Sequence, residues 1–252
     1  MTKEIKYKKW IVFLLILLIA GIVYIFNPYK LEYYGYSNKI MAHRVNSIEK
    51  LAYAEKFYNG VELDLMFDSA TKTFDVNHPP APSIGLDLKT YVTHIQNKNL
   101  KLWLDVKNLS EENASESAKL LQRIITESGI TKKNVLVESP EIQLLHYFKA
   151  EGFQTSFYLP YFLYKEDEAG LKKTIDSLKL LKQKYRVDGI SADVKNYEIL
   201  NHYFKTDRKF LWDLHQPYSR RQIKHFQDFR KYVKDPAVEI VLVRVALPIG
   251  SR

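Results

Sequence analysis

Short apolar runs alternate along this chain with longer amphipathic stretches. Runs of strand length are predicted at 39–44, 60–66, 101–106, 134–138, 154–159, 188–193, 209–215 and 238–246. Apolar positions at helical spacing fill the intervals 47–58, 86–98, 112–128, 141–151, 167–185, 196–204 and 219–233. The last interval is the clearest, with Ile223, Phe226, Phe229 and Val233 on one helical face among Arg and Lys. Helix starts are marked by Ser47, Ser110, Ser139-Pro140 and Ser219. This order of strands and helices predicts a (β/α)8 TIM barrel. A doubly wound open sheet is the structural alternative, because alternation alone does not decide closure. Its nucleotide-binding version is disfavoured, since Arg44-Val45-Asn46-Ser47 follows the first strand where a Gly-rich phosphate loop would be needed.

The pattern breaks at the N-terminus, where residues 10–26 form one uncharged apolar run. That length is the minimum for a helix crossing a bilayer. Lys3, Lys6, Lys8 and Lys9 precede the run and only Lys30 follows closely, which predicts a cytoplasmic N-terminus and an extracytoplasmic remainder. Tyr24-Ile-Phe-Asn-Pro-Tyr29 lacks the small-residue pattern of a cleavage site, so an uncleaved single-pass signal anchor is expected. The expected organisation is a cytoplasmic segment 1–9, a membrane anchor 10–26, a short juxtamembrane linker 27–38 with its tyrosines at the membrane interface, and a barrel domain 39–252.

With 46% apolar and 27% charged residues over 252 positions, the chain suits one large folded domain and not a disordered one. A net charge of +9 suits anionic polymers, anionic lipids or phosphorylated substrates. Part of it is only the Lys-rich N-terminus, and no nucleic-acid motif is present, so no nucleic-acid partner is expected. The absence of cysteine excludes disulfides, thiol chemistry and lipid attachment at Cys.

Candidate chemistry gathers between Met41 and Lys107, where His43-Arg44, Glu62-x-Asp64, His78 and Asp105-x-Lys107 each end an apolar run. Strand alternation puts Glu62 and Asp64 on one face and Val61, Leu63 and Leu65 on the other. Unpaired carboxylates on a buried strand are costly. One divalent cation, Mg²⁺ or Ca²⁺, would compensate through oxygen ligands, with Asp105 as the third ligand from the next barrel strand. Lys107 either pairs with Asp105 or holds a phosphoryl oxygen, and the Arg44 fork suits phosphate. Glu138, Asp193 and His215 end later predicted strands, and Trp212 is either core or a pocket wall. His94, His146, His202 and His225 fall on predicted helices among charged residues and read as surface.

Taken together, His43-Arg44 with Asn46, Glu62-x-Asp64 after Gly60, His78 and Asp105-x-Lys107 resemble the glycerophosphodiester phosphodiesterases. That family belongs to the wider phospholipase C-like phosphodiesterase superfamily of (β/α)8 barrels. Val45 stands where the family usually has Gly, Pro79-Pro80 where Asp usually follows the second His, and Asp105 where Glu is common. The small subdomain expected after the second His is also missing. His-x-x-Asn-Ser, Glu-Leu-Asp, His-Pro-Pro and Leu-Asp-Val-Lys look closer to the menorin branch. The resemblance implies that Glu62, Asp64 and Asp105 hold one divalent cation, and that His43 and His78 share the roles of general base and general acid, in an order the sequence leaves open. Arg44 and Lys107 would stabilise charge on phosphoryl oxygens, with Asn46, Glu138, Asp193, Trp212 and His215 toward the substrate. The function expected is a membrane-anchored, metal-dependent phosphodiesterase acting on a glycerophosphodiester small molecule or a phospholipid headgroup. The alternative is a membrane-tethered binding protein that keeps the barrel without the chemistry.

Overall fold

The computed structural model describes residues 2–26, 30–214 and 222–245. Among the described residues nine strands follow one another: β1 (Ile40–His43), β2 (Gly60–Asp68), β3 (Thr73–Val76), β4 (Lys101–Val106), β5 (Val135–Ser139), β6 (Gln154–Tyr158), β7 (Gly189–Asp193), β8 (Lys209–Asp213) and β9 (Val238–Arg244). The helices are α1 (Thr2–Phe26), α2 (Ile48–Ala54), α3 (Leu88–Thr93), α4 (Ala114–Ser128), α5 (Leu145–Ala150), α6 (Glu168–Tyr185), α7 (Tyr197–Tyr203) and α8 (Gln222–Lys234). Every strand except β3 pairs in parallel with its neighbours, and β1 pairs with both β9 and β2, through Ile40 with Val241 and Ala42 with Val61. The sheet therefore closes on itself, which rules out the open doubly wound alternative and leaves a TIM barrel.

Closure fixes what each strand face must be. Outward residues such as Val61, Leu63, Leu102, Leu104, Val135 and Val137 join the helices in one large apolar layer. Inward residues at the lower levels form a separate small plug of Met41, Trp103, Leu136, Phe210, Ile240 and Leu242. Burial on both faces makes the strands read as nearly continuous apolar runs. Gly60 is required by this plug, because a Cβ there would lie 2.6 Å from the Met41 side chain and 2.8 Å from the Lys101 carbonyl oxygen. The polar inward residues follow above the plug, at the strands' C-terminal ends.

One element departs from the expected beat. β2 runs on to Asp68, turns, and returns as antiparallel β3, pairing Leu65 with Val76 and Asp68 with Thr73. The Asp68 carboxylate fixes the turn by accepting from the Ala70 N–H at 2.8 Å and the Thr71 hydroxyl at 2.9 Å. This hairpin is short and its tip polar, so periodicity does not reveal it.

The linker is also more ordered than expected. Tyr33 packs on Phe229 of α8 at 5.2 Å between ring centroids, and Arg230 donates to the backbone oxygens of Glu32 and Tyr34 at 3.3 and 2.5 Å. Tyr33 and Tyr36 thus lie against the barrel's apolar layer. The helical run expected at 10–26 falls within α1, a helix of 25 residues. Among the described residues no helix is long and apolar enough to cross a membrane.

Candidate active site

Three carboxylates meet at the C-terminal mouth. The parallel register sets Asp64 of β2 directly beside Asp105 of β4, and Glu62 lies two residues earlier on the same inward face. One ligand oxygen from each of the three falls within 4.8 Å of the others, and the residues are only 2%, 1% and 8% exposed. Each carboxylate is held in place. The Arg44 N–H donates to Glu62 Oε2 at 2.7 Å, from a backbone in the left-handed region with φ of 54°. A non-glycine residue there is strained, and the bond to a buried carboxylate helps to compensate. Asn46 Nδ2 donates to Asp64 Oδ2 at 2.8 Å, while the Asp64 N–H donates to Asn46 Oδ1 at 3.0 Å. Lys107 Nζ reaches Asp64 Oδ1 at 2.9 Å and also bonds Asp105.

One lysine against three carboxylates leaves the cluster short of positive charge. Burial, then the Asp64 and Asp105 carboxylates, push Glu62 well above the usual carboxylate range. Burial also raises Asp105, against the pull of Lys107. Burial alone would lower the Lys107 ammonium, but Asp105 and Asp64 outweigh it and raise it, so it stays charged. Asp105 Oδ1 is buried with no hydrogen-bond partner. An orphaned buried oxygen beside an all-oxygen donor set fits a hard divalent cation of the Mg²⁺ or Ca²⁺ kind.

The histidines approach from two sides. His43 ends β1 with its Nε2 3.5 Å from Glu62 Oε2. Burial, and next the neighbouring Arg44 charge, push its pKa down to about 3, so the ring is neutral near pH 7. His78 arrives by way of β3: antiparallel pairing returns the chain to the level of Leu65, and the Asn77 N–H donates to the Asp64 carbonyl at 3.1 Å. His78 Nε2 then lies 2.7 Å from Arg44 Nη2, which donates to it, and 4.0 Å from Asp64 Oδ1. The hairpin that periodicity conceals is therefore what delivers the second histidine.

A cavity of about 240 Å³ opens above the carboxylates. Its polar wall comprises His43, Arg44, Glu62, Asp64, Asp105 and Lys107, and its aromatic wall comprises Tyr158, Tyr161 and Trp212. Tyr158 and Trp212 meet edge to face, with centroids 6.0 Å apart. Tyr158 is the next-to-last residue of the predicted strand 154–159, as His43 and Asp105 are of theirs. Tyr161 lies in a loop that no periodicity marks.

The remaining expected site residues differ in placement. Asn46, expected toward the substrate, instead holds Asp64. Glu138 lines the cavity, but its oxygens accept from Trp103 Nε1 at 2.7 Å and from the Ser191 hydroxyl, so it is a braced floor. Burial, then the Asp105 charge, raises Glu138 to about 8. Asp193, also expected toward the substrate, caps the following turn by accepting the Lys195 N–H at 2.8 Å. His215 lies outside the described residues. His94, His146 and His202 are away from the cavity, and His225, expected at the surface, is partly buried with its Nε2 3.6 Å from Asp213 Oδ2.

No family model matches the chain, and no curated protein matches it in sequence. Solved structures do match in fold. A glycerophosphodiester phosphodiesterase from Parabacteroides distasonis ATCC 8503 is 16% identical, with a TM-score of 0.57 over 82% of this chain and 93% of that one. A phosphodiesterase from Oleispira antarctica, solved in complex with the product sn-glycerol-3-phosphate, is 11% identical with a TM-score of 0.56 over 84% and 94%. The chain is thus similar in fold, over nearly the whole length of each, to TIM-barrel phosphodiesterases of the glycerophosphodiester class.

Proposed function

We propose that this chain is a membrane-anchored, divalent-cation-dependent phosphodiesterase acting on glycerophosphodiester- or phospholipid-type diesters. One observation carries the reading: three buried carboxylates within 4.8 Å of one another at a barrel mouth, with an unpartnered Asp105 oxygen among them. Buried charge of this kind is expensive unless a site uses it. The fold neighbours add support, since one of them holds sn-glycerol-3-phosphate as its product.

Glu62, Asp64 and Asp105 would hold the cation, with Asn46 and the Arg44 N–H orienting two of them. A divalent ion bound there supplies Lewis-acid polarisation of a phosphoryl oxygen. Lys107 and the Arg44 guanidinium face the same cavity and stabilise negative charge on the non-bridging oxygens. His43, buried and neutral, accepts a proton from the attacking hydroxyl. His78 is the more exposed of the two, at 31% of its side chain against 13%, and at the rim it delivers a proton to the leaving alcohol. To do so it must first take up a proton and release the Arg44 hydrogen bond. Tyr158, Tyr161 and Trp212 exclude water from the opposite wall and pack the alcohol portion.

Anchoring is supported by the uncharged run 10–26 within α1, whose side chains from Trp10 to Ile19 are all large and apolar and all exposed. An apolar surface of that extent is unfavourable in water and suits a bilayer. The flanking lysines orient the barrel to the extracytoplasmic side.

The test is an assay of the detergent-solubilised chain against glycerophosphodiesters, phospholipids and polyol-phosphate polymer fragments, with and without chelator. Hydrolysis that chelator abolishes and Mg²⁺ or Ca²⁺ restores is expected. Failure to cleave any diester with either ion would return the chain to the tethered-binder reading.

A further inference from the structure

Lys195 stands beside Tyr161, a residue of the cavity wall, in a more elaborate setting than a solvated lysine requires. Its Nζ donates to the Tyr161 hydroxyl at 2.9 Å and lies 5.1 and 5.6 Å from the ring centroids of Tyr161 and Tyr164. Tyr161 is itself part of the cavity wall. The loop bearing both tyrosines is stapled to the Lys195 turn by Asn196, which is fully buried. Asn196 Nδ2 donates to the carbonyls of Pro160 and Tyr161 at 3.3 and 3.2 Å, and its Oδ1 accepts the Tyr164 N–H at 3.0 Å. The Lys195 backbone is fixed in turn by Asp193. The Tyr161 hydrogen bond, helped by the nearby Asp193 charge and opposed by burial, raises the ammonium above the usual lysine range. The result is a cation whose backbone turn and neighbouring loop are held in place and whose ammonium lies against Tyr161, one end of the aromatic wall.

Position sets what it can bind. Lys107 follows β4 and Lys195 follows β7, three strand steps round the barrel, an arc of about 14 Å at the usual spacing. The two ammonium groups are thus carried on different sides of the barrel mouth. We propose that Lys195 and Tyr161 form a second anion subsite, so that the favoured ligand carries a second phosphate beside the diester to be cleaved. This rests on the phosphodiesterase reading above. The second phosphate has two sources with one chemistry, a terminal phosphomonoester or the next diester of a polyol-phosphate polymer.

Calorimetric titration of the full chain in detergent tests this with three probes: glycerol monophosphate, glycerol bisphosphate, and a fragment with two phosphodiesters joined through glycerol. The wild type is expected to bind at least one two-phosphate probe about tenfold more tightly than the monophosphate, the scale of a charge-assisted hydrogen bond at a partly exposed site. Whichever of the two is preferred identifies the source. Lys195→Gln should bring the ratio close to one, Lys195→Arg should retain most of it, and Tyr161→Phe should reduce it in part. A wild type without preference, or a Lys195→Gln variant that weakens all three probes equally, overturns the subsite. Failure of the phosphodiesterase reading would appear separately, as absence of hydrolysis despite a preserved binding ratio.

Discussion

Asn46 and Asp64 exchange two hydrogen bonds, one from the Asn46 amide to the Asp64 carboxylate and one from the Asp64 N–H back to the Asn46 carbonyl oxygen, at 2.8 and 3.0 Å. This reciprocal clamp fixes both the backbone and the carboxylate of one candidate metal ligand from the loop after β1. Asn46→Ala should therefore weaken cation binding by about 10- to 100-fold, the usual effect of removing a partner that orients a ligand. The melting temperature in chelator should fall as well, by a few degrees, because the buried Asp64 N–H loses its acceptor. Calorimetric titration of Mg²⁺ or Ca²⁺ into the variant checks this, and unchanged affinity would show that the clamp serves only the fold.

Glu138 gives a pH dependence with a definite sign. In the folded protein it keeps its proton up to about 8, against an ordinary value of 4.5. Between those values the folded state binds a proton that the unfolded chain has lost, so stability falls as pH rises through this window and levels off above it. Glu138→Gln fixes the neutral form, its carbonyl able to accept from Trp103 and its amide able to donate to the Ser191 hydroxyl oxygen. In chelator, the melting temperature of the variant relative to wild type should rise by several degrees from pH 5 to pH 8 and stay level above. A gap that narrows over that range would contradict the protonated floor.

The proposed topology rests on the lysines flanking residues 10–26. Protease added to intact cells or spheroplasts should digest the barrel, while a reporter fused at the N-terminus reports the cytoplasm. A fully protected barrel would reverse the orientation.

Much of this architecture is legible in the sequence because barrel strands are buried on both faces and stand out as apolar runs. Glu62, Asp64, Asp105 and Lys107 are legible for a second reason: polar side chains at the ends of such runs must face inward together once the barrel closes. His78 is recognisable as a candidate, but the way it reaches the site is not, since β3 is only four residues long and follows a polar turn. Asp193 has the inward parity of a site residue, yet the backbone turns immediately after it and takes its carboxylate as a cap. Tyr161 and the ordering of Tyr33 on Phe229 arise from contacts distant in sequence, which local pattern does not encode.

The proposed site divides its labour: the carboxylates bind a cation and the histidines move protons. Calorimetric titration of Mg²⁺ and Ca²⁺ into wild type, Glu62→Gln, Asp64→Asn, His43→Ala and His78→Ala, beside a phosphodiesterase assay of each, measures it directly. The carboxylate variants should lose cation binding and turnover together, because a neutral amide is a weaker ligand for a hard cation. The histidine variants should bind the cation nearly as wild type does while turnover falls by about 10² to 10⁴, the usual contribution of general acid–base catalysis. Full activity in chelator, or in either histidine variant, would contradict the account.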